Sequence, residues 1–326
     1  MKKRITSVIL ALCLSLFLLP VTAQAAGAAS GSCGPTANWS YDAATKTLTI
    51  SGSGAMDDFP TNNREYNHYD KDTEKLIVEN GITAIGDYAF SDFESLASVS
   101  LPDSVTAIGK YAFSYCRALT SIEIPSGVTE IPEEAFSVCT NLERVTFPAT
   151  LNSIGELAFS GCVSLTEITL PAGLKTIKQE AFIGVPFTRL IIPDGVTRIE
   201  KAAFNCGTLS ALYIPASVEY LDSDPISCSS LRDIYFGGNE TRWKAIHGLD
   251  VEYNIHADNP LLVHYNSAAK LADISARTED DLQKLIAAGI AAGDSLIDIQ
   301  LTNDITLSKT LTIPQGPTIG ERVGGS

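Results

Sequence analysis

The stretch Val105–Gly127, VTAIGKYAFSYCRALTSIEIPSG, returns in close copy on both sides at a spacing of about 23 residues. Copies begin at Ile82, Val105, Val128, Leu151, Leu174, Val196 and Val218. In register they form columns: Ala89-Phe90, Ala112-Phe113, Ala135-Phe136, Ala158-Phe159, Ala181-Phe182 and Ala203-Phe204. Pro102, Pro125, Pro148, Pro171, Pro193 and Pro215 each follow an alternating apolar segment such as Ile122-Glu123-Ile124. That alternation predicts a short strand. Proline, lacking an N–H, ends the ladder and turns the chain away.

A unit of this length cannot bury its own apolar face. Stacking each copy on the next turns the columns into continuous internal ladders, with the strands parallel and in register. The run Ile-Gly-x-x-Ala-Phe-x-x-Cys puts Phe113 and Cys116 one helical turn apart. It predicts a short helical return segment with both side chains inward. The glycine of that run is Gly86, Gly109 and Gly155 in three copies and Pro132, Lys178, Glu200 and Asp222 in the others. Because Pro132 fixes φ near −65°, a left-handed backbone is not what the column needs.

These motifs resemble the bacterial surface leucine-rich repeats of the BspA-like family, whose repeat carries Leu-x-x-Ile-x-Ile-Pro and Val-x-x-Ile-Gly-x-x-Ala-Phe-x-x-Cys. The resemblance covers Ile82 to about Phe236. It departs from the general leucine-rich pattern, which expects Asn or Cys after the strand where proline stands here. The last three copies each run one residue short, and the seventh has Pro225-Ile226 for Ala-Phe. The resemblance implies an α/β repeat fold, a leucine-rich-repeat solenoid with a parallel β-sheet face. It also implies an exported binding protein that adheres to host or neighbouring-cell macromolecules.

The expected organisation is a signal peptide over 1–25, an N-terminal cap with a β-hairpin over 26–81, seven repeats over 82–236 and a C-terminal cap over 237–265. A linker helix and truncated tail follow over 266–326. Lys2, Lys3 and Arg4 precede the apolar run Val8–Leu19 and Ala23-Gln24-Ala25, the pattern of a cleaved secretory leader rather than a membrane span. No anchor is visible, so the mature chain is expected to be secreted or at the cell surface. In the N-terminal cap, Trp39-Ser40-Tyr41 and Thr47–Ile50 alternate around Asp42–Thr45. Asp57, Asp58, Asp70 and Asp72 match no calcium-loop spacing and read as solvated. Beyond the repeats, Asn239 can cap a short helix carrying Trp243 and Ile246, and Leu261–Tyr265 reads as a strand. Thr278 opens a helix lined by Leu282, Leu285, Ile286 and Ile290. Leu296–Leu301 and Thr310–Ile313 read as strands, an α+β tail resembling the start of a right-handed β-helix.

The 326-residue sequence carries a formal charge of −15, and removing the leader's three cations gives −18. Such a surface repels nucleic acid and anionic membranes, so neither is an expected partner. Six cysteines remain after export. Cys116, Cys139 and Cys162 share one column, with Cys206 and Cys228 near it, and whether Cys33 pairs is open. In-register side chains in parallel coils point the same way, poor geometry for a disulfide, so buried thiols acting as small apolar fillers are expected. No histidine joins them, and no zinc is expected. His68, His247, His256 and His264 lie in the caps away from any nucleophile, and no Gly-x-Ser-x-Gly, His-Glu-x-x-His or phosphate-binding glycine loop occurs. The chain is read as no enzyme, with no metal and no cofactor.

What remains is the outward face of the sheet. Its residues run Lys75 and Ile77, Ser98 and Ser100, Ser121 and Glu123, Arg144 and Thr146, Glu167 and Thr169. The last three rungs place Ile191, Tyr213 and Tyr235 in an exposed line flanked by Arg189 and Asp233. An apolar choice there is explained either by a binding patch for an extracellular protein or glycan or by ordinary β-propensity. The alternative function is a glycan-binding or polysaccharide-degrading protein whose active β-helix domain is missing from this chain.

Overall fold

A computed structural model describes residues 29–59, 64–222, 228–248, 262–265, 275–276 and 300–301. The expected leader, the helix after Thr278, the strand Thr310–Ile313, His256 and Pro225-Ile226 lie outside the described residues.

The repeats coil into a solenoid of parallel strands, because each copy's apolar columns are buried only against the next. Phe90, Phe113, Phe136, Phe159, Phe182 and Phe204 stack face to face at centroid spacings of 5.4, 5.5, 5.4, 5.5 and 5.8 Å. All six are fully buried, as are the alanines before them. Full burial of one such ring contributes roughly 1.5–3 kcal/mol, so stability is spread along the stack.

Two parallel columns run the length of the coil. The face column contains Lys75–Val78, Ser98–Ser100, Ser121–Glu123, Arg144–Thr146, Arg189–Ile191, Ala211–Ile214 and Asp233–Phe236. Its pairings are parallel and in register, with Arg144 opposite Ser121 and Tyr213 opposite both Ile191 and Tyr235. The ladder is interrupted twice: no pairing joins Ser98–Ser100 to Ser121–Glu123, and between Thr146 and Arg189 the stretch Glu167–Thr169 forms no strand, although Glu167 and Thr169 still face outward. Here the repeat changes from 23 to 22 residues. A second parallel column, not anticipated from the sequence, is built from two-residue strands such as Glu130–Ile131, Ser153–Ile154, Thr176–Ile177 and Arg198–Ile199. The isoleucines of the Val-x-x-Ile motif supply its buried side.

The return segment is not helical. The Ala-Phe-x-x-Cys run is a chain of turns in which two residues adopt positive φ in each of the first five coils, such as Tyr111 and Tyr115, Glu134 and Val138, or Leu157 and Gly161, and Ala202 does so in the sixth. These turns expose backbone N–H groups to the following coil. Tyr111, Phe113 and Tyr115 donate to the carbonyls of Glu133, Ala135 and Ser137 at 3.0, 2.9 and 2.7 Å, and neighbouring coils repeat the pattern. A helix would have spent those groups internally, so bonding between coils displaces it. Phe113 and Cys116 are nevertheless both inward, as expected.

The glycine column is explained by close approach. A Cβ on Gly109 would lie 2.4 Å from backbone atoms of Gly86 and Asp87, and one on Gly155 would lie 2.6 Å from Pro132. Neither glycine has positive φ.

Before the repeats, Ala37–Asp42 and Thr47–Gly52 form the expected antiparallel hairpin, and Thr47–Gly52 pairs in parallel with Lys75–Val78. Asp58 accepts a hydrogen bond from the Asp87 N–H at 2.9 Å, a structural use of that acid. After the repeats, the Asn239 side chain accepts from the Arg242 N–H and starts the helix Glu240–Lys244. Trp243 is buried edge-on against Phe236 at 5.0 Å. Ser275–Ala276 pairs in parallel with Gln300–Leu301.

Candidate functional site

The C-terminal end of the face column gathers the five residues singled out in the sequence. In-register pairing sets Arg189 beside Ala211, then Asp233 and Leu262, and sets Ile191 beside Tyr213, then Tyr235 and His264. The strand Leu262–His264 supplies the fourth rung. His264 was not among the expected site residues, because the 31 residues that separate it from Asp233 break the repeat. The signal available was the Leu261–Tyr265 strand, whose alternation gives His264 the same outward direction as Tyr235.

The additional rung changes the site's chemistry. The His264 imidazole stacks on the Tyr235 ring at 4.7 Å and 13°, and its Nε2 lies 2.8 Å from Asp233 Oδ1. Both members of this pair are about one-third exposed. The carboxylate fixes the imidazole, the imidazole props the phenol ring, and a rigid polar and aromatic ridge results. Arg189, Ile191, Asp233 and Tyr235 are all half-buried, with surface left to offer.

Tyr213 requires a correction. It was expected to stand in an exposed line, but it is only 5% exposed and packs with Ala211 between Ile191 and Tyr235. Alternation fixes the direction in which a strand side chain leaves the sheet, not what its neighbours cover. Here the hydroxyl lies along the chain toward Gly237, where a Cβ would come within 2.8 Å of it. Burial, and then the negative charge of Asp194, raise the Tyr213 pKa, so the phenol stays protonated. Tyr213 is therefore the floor of the patch.

The thiol column runs through the interior. Cys33, Cys116, Cys139, Cys162, Cys206 and Cys228 are all buried thiols. They are more than filler: Cys116 Sγ donates to the Phe90 carbonyl at 3.2 Å, Cys139 to Phe113 at 3.1 Å and Cys162 to Phe136 at 3.2 Å. Each thiol thus ties its coil to the phenylalanine of the coil before. Burial pushes the Cys162 thiol up to about 12 and that of Cys139 well above its ordinary value. A thiol so held is a poor nucleophile and a poor metal ligand. Among the described residues, no group of three or more His, Cys, Asp or Glu could hold a metal ion, and no helix is long and apolar enough to cross a membrane.

The model of the BspA type leucine rich repeat region matches in six copies, over residues 61–162 and 139–245. The chain belongs to the BspA-type leucine-rich repeat family. Leucine-rich repeats of this type serve surface or binding roles. Solved structures similar to this BspA-type chain include a leucine rich cell surface protein from Faecalibacterium prausnitzii, at 20% identity over 68% of this chain and 98% of that one, with a TM-score of 0.41. The pneumococcal vaccine antigen PcpA is 15% identical over 86% of this chain and 100% of that one, with a TM-score of 0.39. A leucine rich repeat protein of T. pallidum is 26% identical over 60% and 77%, with a TM-score of 0.35. No curated protein matches the sequence.

Proposed function

We propose that this chain is an exported, non-enzymatic surface protein that adheres to an extracellular protein through the C-terminal end of its parallel-sheet face. Ile191 and Tyr235 are the apolar anchors, Arg189, Asp233 and His264 the polar flank, and Tyr213 the support beneath. The observation that carries this reading is the change of chemistry along two in-register columns. In one column Ser100, Glu123 and Thr146 give way to Ile191, Tyr213, Tyr235 and His264, and in the other Ser98 and Ser121 give way to Arg189 and Asp233, on the outward side of the sheet. Aromatic and arginine side chains set among polar neighbours are what protein-binding hot spots are made of.

The experiment is a binding screen against immobilised extracellular-matrix proteins and glycans, using the wild type and the Ile191→Ser/Tyr235→Ala double variant. Binding by the wild type that the double variant loses supports the reading, and equal binding by both moves the site elsewhere. A second reading, glycan recognition through a β-helix beginning in the tail, draws support from the parallel pair Ser275–Ala276 and Gln300–Leu301. It expects glycan binding or polysaccharide cleavage that is indifferent to the face variant.

A further inference from the structure

At the opposite, N-terminal end of the same face lies a hollow of about 400 Å³. Pairing register explains its lining. Ser40 lies opposite Thr49 and Thr49 opposite Ile77, while Asp42 lies opposite Thr47 and Thr47 opposite Lys75. Alternation sends these six side chains to the same side of the sheet. The floor is low because it is made of Ser40, Thr47 and Thr49. The Asp42–Thr45 turn stands at one edge and the longer Lys75 and Ile77 at the other. The turn is fixed, since Asp42 accepts from the Ala44 N–H at 2.9 Å and from Thr45 Oγ1 at 2.8 Å. Beyond Lys75 and Ile77 the next rung offers Ser98 and Ser100, so the hydroxyl floor continues along the face.

The chemistry of the lining selects the ligand. A hydroxyl both donates and accepts, and a row of them matches a ligand that does the same at each position. Asp42 and Lys75 offset one another, so the hollow has no net charge to attract an ion, while the chain's overall charge of −15 repels anionic polymers. Protein hot spots are enriched in aromatic and arginine anchors; the one aromatic in the lining, Tyr41, is buried and stacked on Tyr69 at 4.2 Å, and among the six outward side chains Ile77 alone is apolar. The volume falls within the range of small-ligand sites.

We infer that this hollow binds a neutral saccharide, with Ser40, Thr47 and Thr49 bonding to sugar hydroxyls, Asp42 and Lys75 gripping a ring from its two edges, and Ile77 covering an apolar ring face. The site is separate from the protein-binding patch and does not depend on it.

The test is isothermal titration calorimetry of the full chain with neutral hexasaccharides of glucose, mannose and xylose. The wild type is compared with the Thr47→Val/Thr49→Val double variant, in which valine retains strand propensity and thermal unfolding checks the fold. A Lys75→Met variant provides a second reading that leaves the hairpin untouched. The expected result is that the wild type binds at least one of these sugars, that the double variant binds it at least tenfold more weakly and Lys75→Met severalfold more weakly, and that Tyr235→Ala binds it unchanged. Failure of every sugar to bind the wild type overturns the inference. So does equal binding by a folded double variant.

Discussion

The Arg64 guanidinium donates to the Ser91 carbonyl at 2.9 Å, across 27 residues of chain, with Arg64 only 4% exposed. This contact completes the first turn of the solenoid. In each return segment the carbonyls point back toward the preceding coil, so the first coil presents those of Asp87, Ala89 and Ser91 with no repeat before it to receive them. The Phe59 N–H takes the first at 2.9 Å, the Tyr66 hydroxyl the second at 3.1 Å and Arg64 the third. Arg64 also donates to the Tyr88 carbonyl and to Asn67 Oδ1, and its charge lies over the Phe93 ring at 5.1 Å.

Replacing Arg64 by alanine is expected to destabilise the protein by about 3–5 kcal/mol, since it leaves buried carbonyls without donors. Lysine is not expected to rescue it, because a point charge cannot serve two carbonyls with a planar fork. Chemical denaturation of both variants checks this, and full rescue by lysine would contradict it.

The buried thiols make stability depend on alkaline pH. Desolvation raises the folded-state values of Cys33 and Cys162 from 9.0 to about 12. The folded state therefore holds protons that the unfolded chain has released. This stabilisation is complete below pH 9 and is lost as pH rises from about 9 to about 12. Unfolding curves across that window are expected to show stability falling, and to fall less steeply for Cys162→Ala. At pH 8 a thiol reagent is expected to label the native protein slowly and the unfolded chain at once.

Val138 and Gly161 occupy equivalent positive-φ positions, at 59° and 69°. A β-branched residue in that conformation is strained by about 1–2 kcal/mol, whereas glycine adopts it without steric cost. Val138→Gly is expected to leave stability within about 1 kcal/mol of wild type. Gly161→Val is expected to lower it by about 1–2 kcal/mol. Thermal unfolding of the pair decides, and the opposite order would contradict the turn geometry.

Burial separates Tyr213 from Tyr235. Tyr213→Ala is expected to cost about 3 kcal/mol through the void it leaves, while Tyr235→Ala, at a half-buried position, is expected to cost about 1 kcal/mol or less. Denaturation midpoints of the two variants check the assignment of floor and anchor.

The core of this fold was legible because column identity is a direct consequence of stacking: a residue such as Phe136 must match Phe113 and Phe159 or leave a void. The return turns were not. Their positive-φ positions carry Tyr111, Tyr115, Val138 and Leu157 in most coils, and only Gly161 and Gly184 show the conformation openly. Spacing of Phe and Cys is the same for a helix and for these turns, so periodicity could not separate them. At the site, alternation correctly set Ile191, Tyr213 and Tyr235 in neighbouring rungs. It could not foresee that Tyr213 would be covered by its neighbours, or that His264 would join from outside the repeats. The capping role of Arg64 was invisible for a related reason, since nothing local distinguishes a buried arginine from a solvated one.

The most direct measurement is hydroxyl-radical footprinting of the full chain, with and without a protein ligand identified by the binding screen. Protection is expected at Ile191, Tyr235 and His264, with Tyr213 little modified in either state and the return-segment residues Tyr115, 39% exposed, and Val163, 55% exposed, unchanged. Protection of Tyr115 and Val163 with Tyr235 and Ile191 still fully reactive would contradict the account.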